Sequence, residues 1–370
     1  MLQSYSHPAY RAHDAAHAHY LYVRPHKGSV YMLHIPHVRH EVLVYYCHSK
    51  QKSPKNSRMA SYNVFSLYLW RLCNAIGNET MQPTPQFLTL GHVACDLRDD
   101  SSCSLGGTVS FAALTAYLLG MASSIVTRAA PDFLTILPTL LPGIQLHAMP
   151  SAETTTFVNA YQDGFRTQFL RARADTLTPA DLPSNWRAAP IVLLGPLAQE
   201  IPYALIDCFQ RHPGAIIAAT PQGWLRRWDS DGRVWPTPWE NAFRVLPLLD
   251  VLILSHDDLL PFANGDRDAA DALLEQWSLH VPLLVATDGR HGATLFQHGI
   301  TQRFPAYTVQ EIDPTGAGDV FAAAFLVALA RHHTPEEAVN FANCVASFCI
   351  EQPGIQGIPT MDMVEKRLKS

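Results

Sequence analysis

From Met81 onward the apolar residues fall in short blocks separated by turns and by stretches with helical spacing. FLTLGHVACD (87–96) predicts a buried strand that ends near Gly91 and is followed by an acid. SFAALTAYLLG (110–120) predicts an apolar helix stopped by Gly120, and SSIVTRA (123–129) predicts the next strand. IVLLGPL (191–197), GAIIAAT (214–220), DVLILS (250–255) and PLLVATDG (282–289) are four more strand-length runs closed by polar or glycine-containing turns. Helical spacing reappears in DRDAADALLEQWSLH (266–280) and VFAAAFLVALA (320–330). Strands alternating with helices predict a parallel sheet, and continuous apolar runs predict that both its faces are covered.

Two segments break this rhythm. SAETTTFVNAYQDGFRTQFLRARA (151–174) is polar, Thr-rich and partly alternating, which predicts a small exposed sheet lying over something else. Residues 1–80 carry neither period over a useful length: EVLVYYC (41–47) fits a strand, but KQKSPKNSR (50–58) breaks any continuation. We therefore expect residues 1–80 to be a disordered extension and 81–370 the folded domain, with Met59 or Met81 as alternative translation starts.

Composition sharpens the picture. The chain has 370 residues, 48% of them hydrophobic, enough for one large domain or two small ones. A net charge of -5 gives no reason to expect a nucleic-acid partner. The charge is uneven: the first 80 residues hold nine of the 27 Lys and Arg, nine of the 18 His and only three of the 32 acids. His13, His17 and His19, or His34, His37 and His40, are close enough in sequence to share a metal ion, but no Cys or carboxylate pattern supports such a site. The N-terminus lacks the apolar run of a secretory signal, and no stretch of about 20 apolar residues exists to span a bilayer. The seven cysteines are scattered without a CxxC pair, as free thiols of a reducing compartment would be. Together these features predict a soluble, cytoplasmic protein with no membrane partner.

The chemistry concentrates at DPTGAGD (313–319). TVQEI before it reads as extended, and Pro314 disfavours helix at Asp313. The apolar helix after it would begin near Gly316. Small residues let the amides of 316–319 face outward without side chains in the way, so this helix start can hold an anion such as phosphate. Asp319 there has two readings: a base that takes a proton from an attacking hydroxyl, or a helix cap worth roughly 1 kcal/mol. The chain has no GxxxxGK[ST], HExxH or GxSxG, so nothing points to a P-loop kinase, a zinc protease or an esterase. His332 and His333 are explained by the helix C-terminus that they follow.

DPTGAGDVFAAAF (313–325) resembles the C-terminal signature of the ribokinase-like sugar kinases, the phosphofructokinase B family. LGG (105–107) is similar to the family's early glycine pair, TDGRHGATLF (287–296) to its nucleotide stretch, and FANCVASFCIEQPG (341–354) to its adenine-side helix. The resemblance covers residues 86–360. It implies an α/β fold, a three-layer α/β/α sandwich with a mainly parallel central sheet and a small β lid built from about 97–105 and 150–175. It also implies an ATP-dependent phosphotransferase acting on a hydroxyl of a small sugar or polyol, with Mg2+, a monovalent cation left open, and a homodimer formed through the lid.

Carried over by position, the resemblance makes Asp319 the base and Gly316, Ala317 and Gly318 the anion hole. Thr287, Gly289 and Gly292 would lie near the nucleotide phosphates and Asn343 near the adenine or its ribose. Asp96 would bind acceptor hydroxyls, and Gly106 and Gly107 would let the sugar approach the backbone. There are departures. Where the family often has Asn-x-x-Glu this chain reads SHDD, so Ser255 and Asp258 take those places, and the metal role implied for Asp258 falls to a shorter side chain. Phe111 stands where ribokinases carry an Asn, which argues against ribose. GGTVSF, DPTGAGD and PQGWLRRWDSDG (221–232) are more similar to the branch containing plant inositol kinase. Gln222 and Arg226 follow a strand and could reach the site, whereas Arg226 with Arg227 also reads as a solvated basic pair. The rival expectation is a regulatory protein that keeps this fold and binds sugar or nucleotide without turnover.

Overall fold

The computed structural model describes residues 29–31, 46–48, 83–98, 100, 102–162, 165–209 and 211–369. The chain divides into two units, 1–80 and 81–370. In the first, β1 (Ser29–Tyr31) pairs antiparallel with β2 (Tyr46–His48). The candidate metal histidines at 13, 17, 19, 34, 37 and 40 lie outside the described residues, as does most of the expected extension.

The second unit is built on a nine-stranded sheet. Its strands are β3 (Phe87–Leu90), β6 (Ser123–Ala129), β7 (Gln145–Pro150), β10 (Ile191–Leu194), β11 (Ile216–Ala219), β14 (Val251–Ser255), β15 (Leu283–Thr287), β16 (Ala293–Gln297) and β17 (Ile300–Phe304). They lie in the order β17-β16-β15-β14-β11-β10-β3-β6-β7. Pairing is parallel from β7 to β15, and β16 and β17 close one edge as an antiparallel meander.

Successive strand residues point to opposite faces, and the two cores follow that alternation. Phe87, Ile191, Leu193 and Ile253 enter the core beneath helices α1 (Thr108–Leu118), α6 (Ala317–Ala330), α7 (Pro335–Cys349) and α8 (Met361–Leu368). Leu88, Val192, Leu194 and Leu252 enter the opposite core. On that side lies α5 (Arg267–Ser278), which buries Ala270, Leu274 and Trp277 at helical spacing. Shorter helices α2 (Pro131–Leu140), α3 (Tyr203–Ile206) and α4 (Ala242–Val245) complete the three-layer sandwich. Helix α6 is apolar all round because it is enclosed all round: Val320 to Ala328 are buried between α1, α7 and the sheet.

The lid is a second, four-stranded sheet in the order β5-β4-β8-β9, formed by β4 (Ala94–Leu97), β5 (Cys103–Gly106), β8 (Thr155–Gln162) and β9 (Phe165–Ala172). Its first part therefore spans 94–106 rather than 97–105. A hairpin of β12 (Arg226–Trp228) and β13 (Val234–Pro236) touches it through a bridge between Phe169 and Arg233. One sequence expectation changes. Cys95 and Cys103, expected as free thiols, lie diagonally across β4 and β5, where Cys95 is opposite Leu105 and Cys103 opposite Leu97, and are joined as a disulfide, with 5.4 Å between their Cα atoms. TVQEI (308–312) joins no sheet and connects β17 to α6.

Candidate active site

A cavity of about 560 Å³ opens where the carboxyl ends of β3, β10, β11, β14 and β15 meet the underside of the lid. This is where an open parallel sheet leaves a crevice. Its floor is the start of α6. Gly316 is the N-cap residue in the left-handed region, φ 81°, and a Cβ there would overlap the Phe111 ring. A Cβ on Gly318 would meet nothing within 4 Å, so its surroundings are open to a guest. Ala317 N–H closes a turn on Pro314 O at 3.2 Å, and Val320 N–H makes a helical bond to Gly316 O at 2.9 Å. The Ala317 amide is thus engaged in the turn, while the Gly316, Gly318 and Asp319 amides make no backbone hydrogen bond among the described residues.

Asp319 is half-buried at the cavity floor. Burial pushes its carboxyl up to about 6; the Thr108 hydroxyl bonded to it and the Arg226 charge work against that, and the Asp258 and Asp96 charges add to it. A carboxylate that titrates there is poised to exchange a proton near neutral pH. Asp258 is raised too, first by burial, against Arg226, the Ser255 amide and the Gln222 side chain. Its Oδ2 accepts the Ser255 N–H at 3.3 Å in a capping box, so SHDD is a turn that seats Asp258 on the cavity wall.

The other sequence candidates converge here. Asp96, Gly107, Gln222, Arg226, Thr287, Gly289, Gly292, Asn343 and Ala317 all line the cavity. Gly106 does not; a Cβ there would collide with the Asp96 carboxylate, so this glycine makes room for the acid. Of the two basic residues, Arg226 turns into the cavity while Arg227 is exposed and lines nothing. Thr287 Oγ1 donates to Leu254 O at 3.3 Å and Asn343 Nδ2 to Pro305 O at 3.1 Å, fixing the far end of the cavity. Asp313 accepts the Thr315 and Gly354 amides, both at 3.0 Å, and so holds the turn that launches α6.

Thr108, Phe157 and Gln168 also line the cavity and were not singled out in the sequence. Thr108 had a signal, since it follows the glycine pair at the first position of α1. Phe157 and Gln168 had none beyond lying in the lid, because their direction depends on a β-bulge between Thr156 and Phe157.

Residues 232–361 match the model of the pfkB family carbohydrate kinases. The chain is similar to that family over this stretch. It is 31% identical over 177 residues to probable fructokinase-5 of Arabidopsis thaliana, covering 44% of this chain and 54% of the relative. It is 29% identical over 206 residues to ribokinase of Bacillus subtilis, covering 54% and 63%. The chain thus spans about half to two thirds of the length of these relatives. A solved pyrophosphate-dependent kinase of the ribokinase family, complexed with a pyrophosphate analog and myo-inositol, superposes with a TM-score of 0.65 at 24% identity, over 76% of this chain and 99% of that one. Arabidopsis thaliana ribokinase complexed with ribose and ATP gives 0.59 at 22%, over 78% and 100%. The fold is ribokinase-like, with a mainly parallel sheet between helical layers.

Proposed function

We propose that this chain is a kinase that transfers the γ-phosphoryl group of ATP to a hydroxyl of a small, uncharged sugar or polyol. The observation that carries the reading is Asp319, a carboxylate raised to about 6, at the glycine-lined start of α6 inside the cavity. In this reading Asp96 holds the acceptor hydroxyls, and Gly106 and Gly107 keep the backbone and the carboxylate close. Asp319 removes the proton from the attacking oxygen. The Gly318 and Asp319 amides then stabilise the charge on the transferring group in flight. Thr287, Gly289, Gly292 and Asn343 hold the nucleotide, and Gln222 and Arg226 border the acceptor. Five carboxylates line the cavity, Asp96, Asp257, Asp258, Asp313 and Asp319, against one arginine, Arg226, which favours an acceptor without negative charge of its own. Phe111 fills the space beside Gly316, which supports a cyclitol or ketose better than ribose.

Among the described residues no cluster of three His, Cys, Asp or Glu side chains could hold a metal ion alone. A magnesium ion carried by the donor phosphates would have Asp258 on the cavity wall as its protein neighbour; bound there it would neutralise phosphate charge. The lid contributes Phe157 and Gln168 and would exclude water that competes with the acceptor.

The test is ATP consumption against a panel of sugars and cyclitols. Consumption that requires one acceptor class supports the reading. A protein that is stabilised by these ligands in thermal melts yet consumes no ATP with any of them would be a binding protein instead.

A further inference from the structure

Four crossings of the chain join the lid to the large sheet: 91–93 between β3 and β4, Gly107 between β5 and α1, 151–154 between β7 and β8, and 173–177 after β9. His92 reaches all four. Its ring Nδ1 lies 2.7 Å from the hydroxyl of Thr155, the first residue after the third crossing, and its Nε2 lies 2.9 Å from the Asp175 carbonyl at the fourth. Its own carbonyl is the atom that a Cβ on Gly107 would meet at 2.6 Å. Its backbone N–H donates to Glu200 Oε1 at 2.9 Å, and the same carboxylate takes the Leu197 and Ala198 amides at 3.0 and 2.8 Å.

The network has one satisfying arrangement of protons. Asp175 O can only accept, so the imidazole donates to it from Nε2; Nδ1 of the neutral ring is then an acceptor and takes the Thr155 proton, while Thr155 Oγ1 accepts the Ala174 N–H at 3.0 Å. Ser151 Oγ completes it by accepting the Asp175 N–H at 2.9 Å. His92, Thr155 and Glu200 are fully buried, and none of them lines the cavity. They are therefore placed to act on the lid and not on the substrate.

We propose that His92, locked by Thr155 and Glu200, is the pivot of the lid and positions Asp96 for acceptor binding. The proposal deepens the kinase reading and rests on it for its kinetic consequence. Asp96 lies four residues along the chain from His92, a lever of roughly 13 Å, so a tilt of about 5° at the pivot displaces the carboxylate by about 1 Å. A displacement of that size can cost a positioned reaction on the order of a hundredfold. The donor end of the cavity, built on α6, α7 and β15, does not cross the pivot.

The experiment compares Thr155→Val, which keeps the branched shape and loses the hydroxyl, with Thr155→Ser, which keeps the hydroxyl. The expected result for Thr155→Val is an acceptor KM raised about tenfold with donor KM within about twofold of wild type. Amide hydrogen exchange should accelerate in β4, β8 and β9 alone, and Thr155→Ser should restore both readouts. Exchange accelerated evenly through 81–370, or unchanged in the lid, would overturn the pivot. If the wild type turns over no acceptor, the kinase reading fails, and exchange confined to the lid still decides the pivot. If Thr155→Val does not fold, Ser151→Ala gives the same decision: acceleration confined to the lid supports the proposal and its absence overturns it.

Discussion

Asp319 shows how a residue's surroundings convert a common side chain into a chemical group. Its sequence position allows either a cap or a base; its enclosure beside Asp258 and Asp96, with a carboxyl raised to about 6, supports the base. Asp319→Asn should lower turnover by roughly a hundredfold or more with donor affinity nearly unchanged, measured by steady-state kinetics and nucleotide titration. Because the base must be ionised, wild-type turnover should fall as pH drops through about 6, and the residual rate of Asp319→Asn should lack that limb. The sign for stability is opposite. A raised carboxyl binds its proton more tightly when folded, so the folded state loses stability as pH rises from the ordinary aspartate range to about 6. Asparagine cannot ionise, so its melting temperature near neutral pH should equal or exceed that of wild type.

Helix termini carry the next scale. Gly316 combines a positive φ with contact against the Phe111 ring, so any side chain there must displace both the turn and the ring. Gly316→Ala should cost about 1–3 kcal/mol in denaturant unfolding and weaken donor binding in titration, since alanine would be strained there and this turn presents the anion-facing amides. At the start of α7, Thr334 Oγ1 accepts the Glu337 N–H at 3.2 Å and Glu337 accepts the Thr334 N–H at 2.9 Å, far from the cavity wall. Thr334→Ala should therefore cost about 1 kcal/mol without changing kinetics. These two ends look alike in sequence, each a turn before an apolar run. One is capped by a side chain and the other is left open by glycine, which separates a structural terminus from one that can take a ligand.

For the whole molecule, the two cores of 81–370 are separated by one sheet. A chain shortened to Met81–Ser370 is expected to retain the melting temperature and the acceptor-dependent ATP consumption of the full chain, checked by calorimetry and coupled assay. The strands at 191–194, 216–219, 251–255 and 283–287 were legible because residues buried on both faces leave continuous apolar runs. The lid's extent was less so: β4 shares one apolar run with β3, and only the turn at Gly91 and His92 separates the two sheets. The bond between Cys95 and Cys103 was hidden for a related reason, since a spacing of eight says nothing of two strands folding back on each other.

By itself the sequence determined the layer architecture, the glycine-lined helix start and the acid beside it, because periodicity and backbone permissiveness are local properties. Only the tertiary structure decided that Arg226 faces the cavity and Arg227 does not, and that Phe157 and Gln168 reach down from the lid. It alone gathered Asp96, Asp258 and Asp319 near one another and bound the lid's four crossings to His92. Charge interaction and burial depend on distances between residues remote in the chain, and no local pattern encodes those.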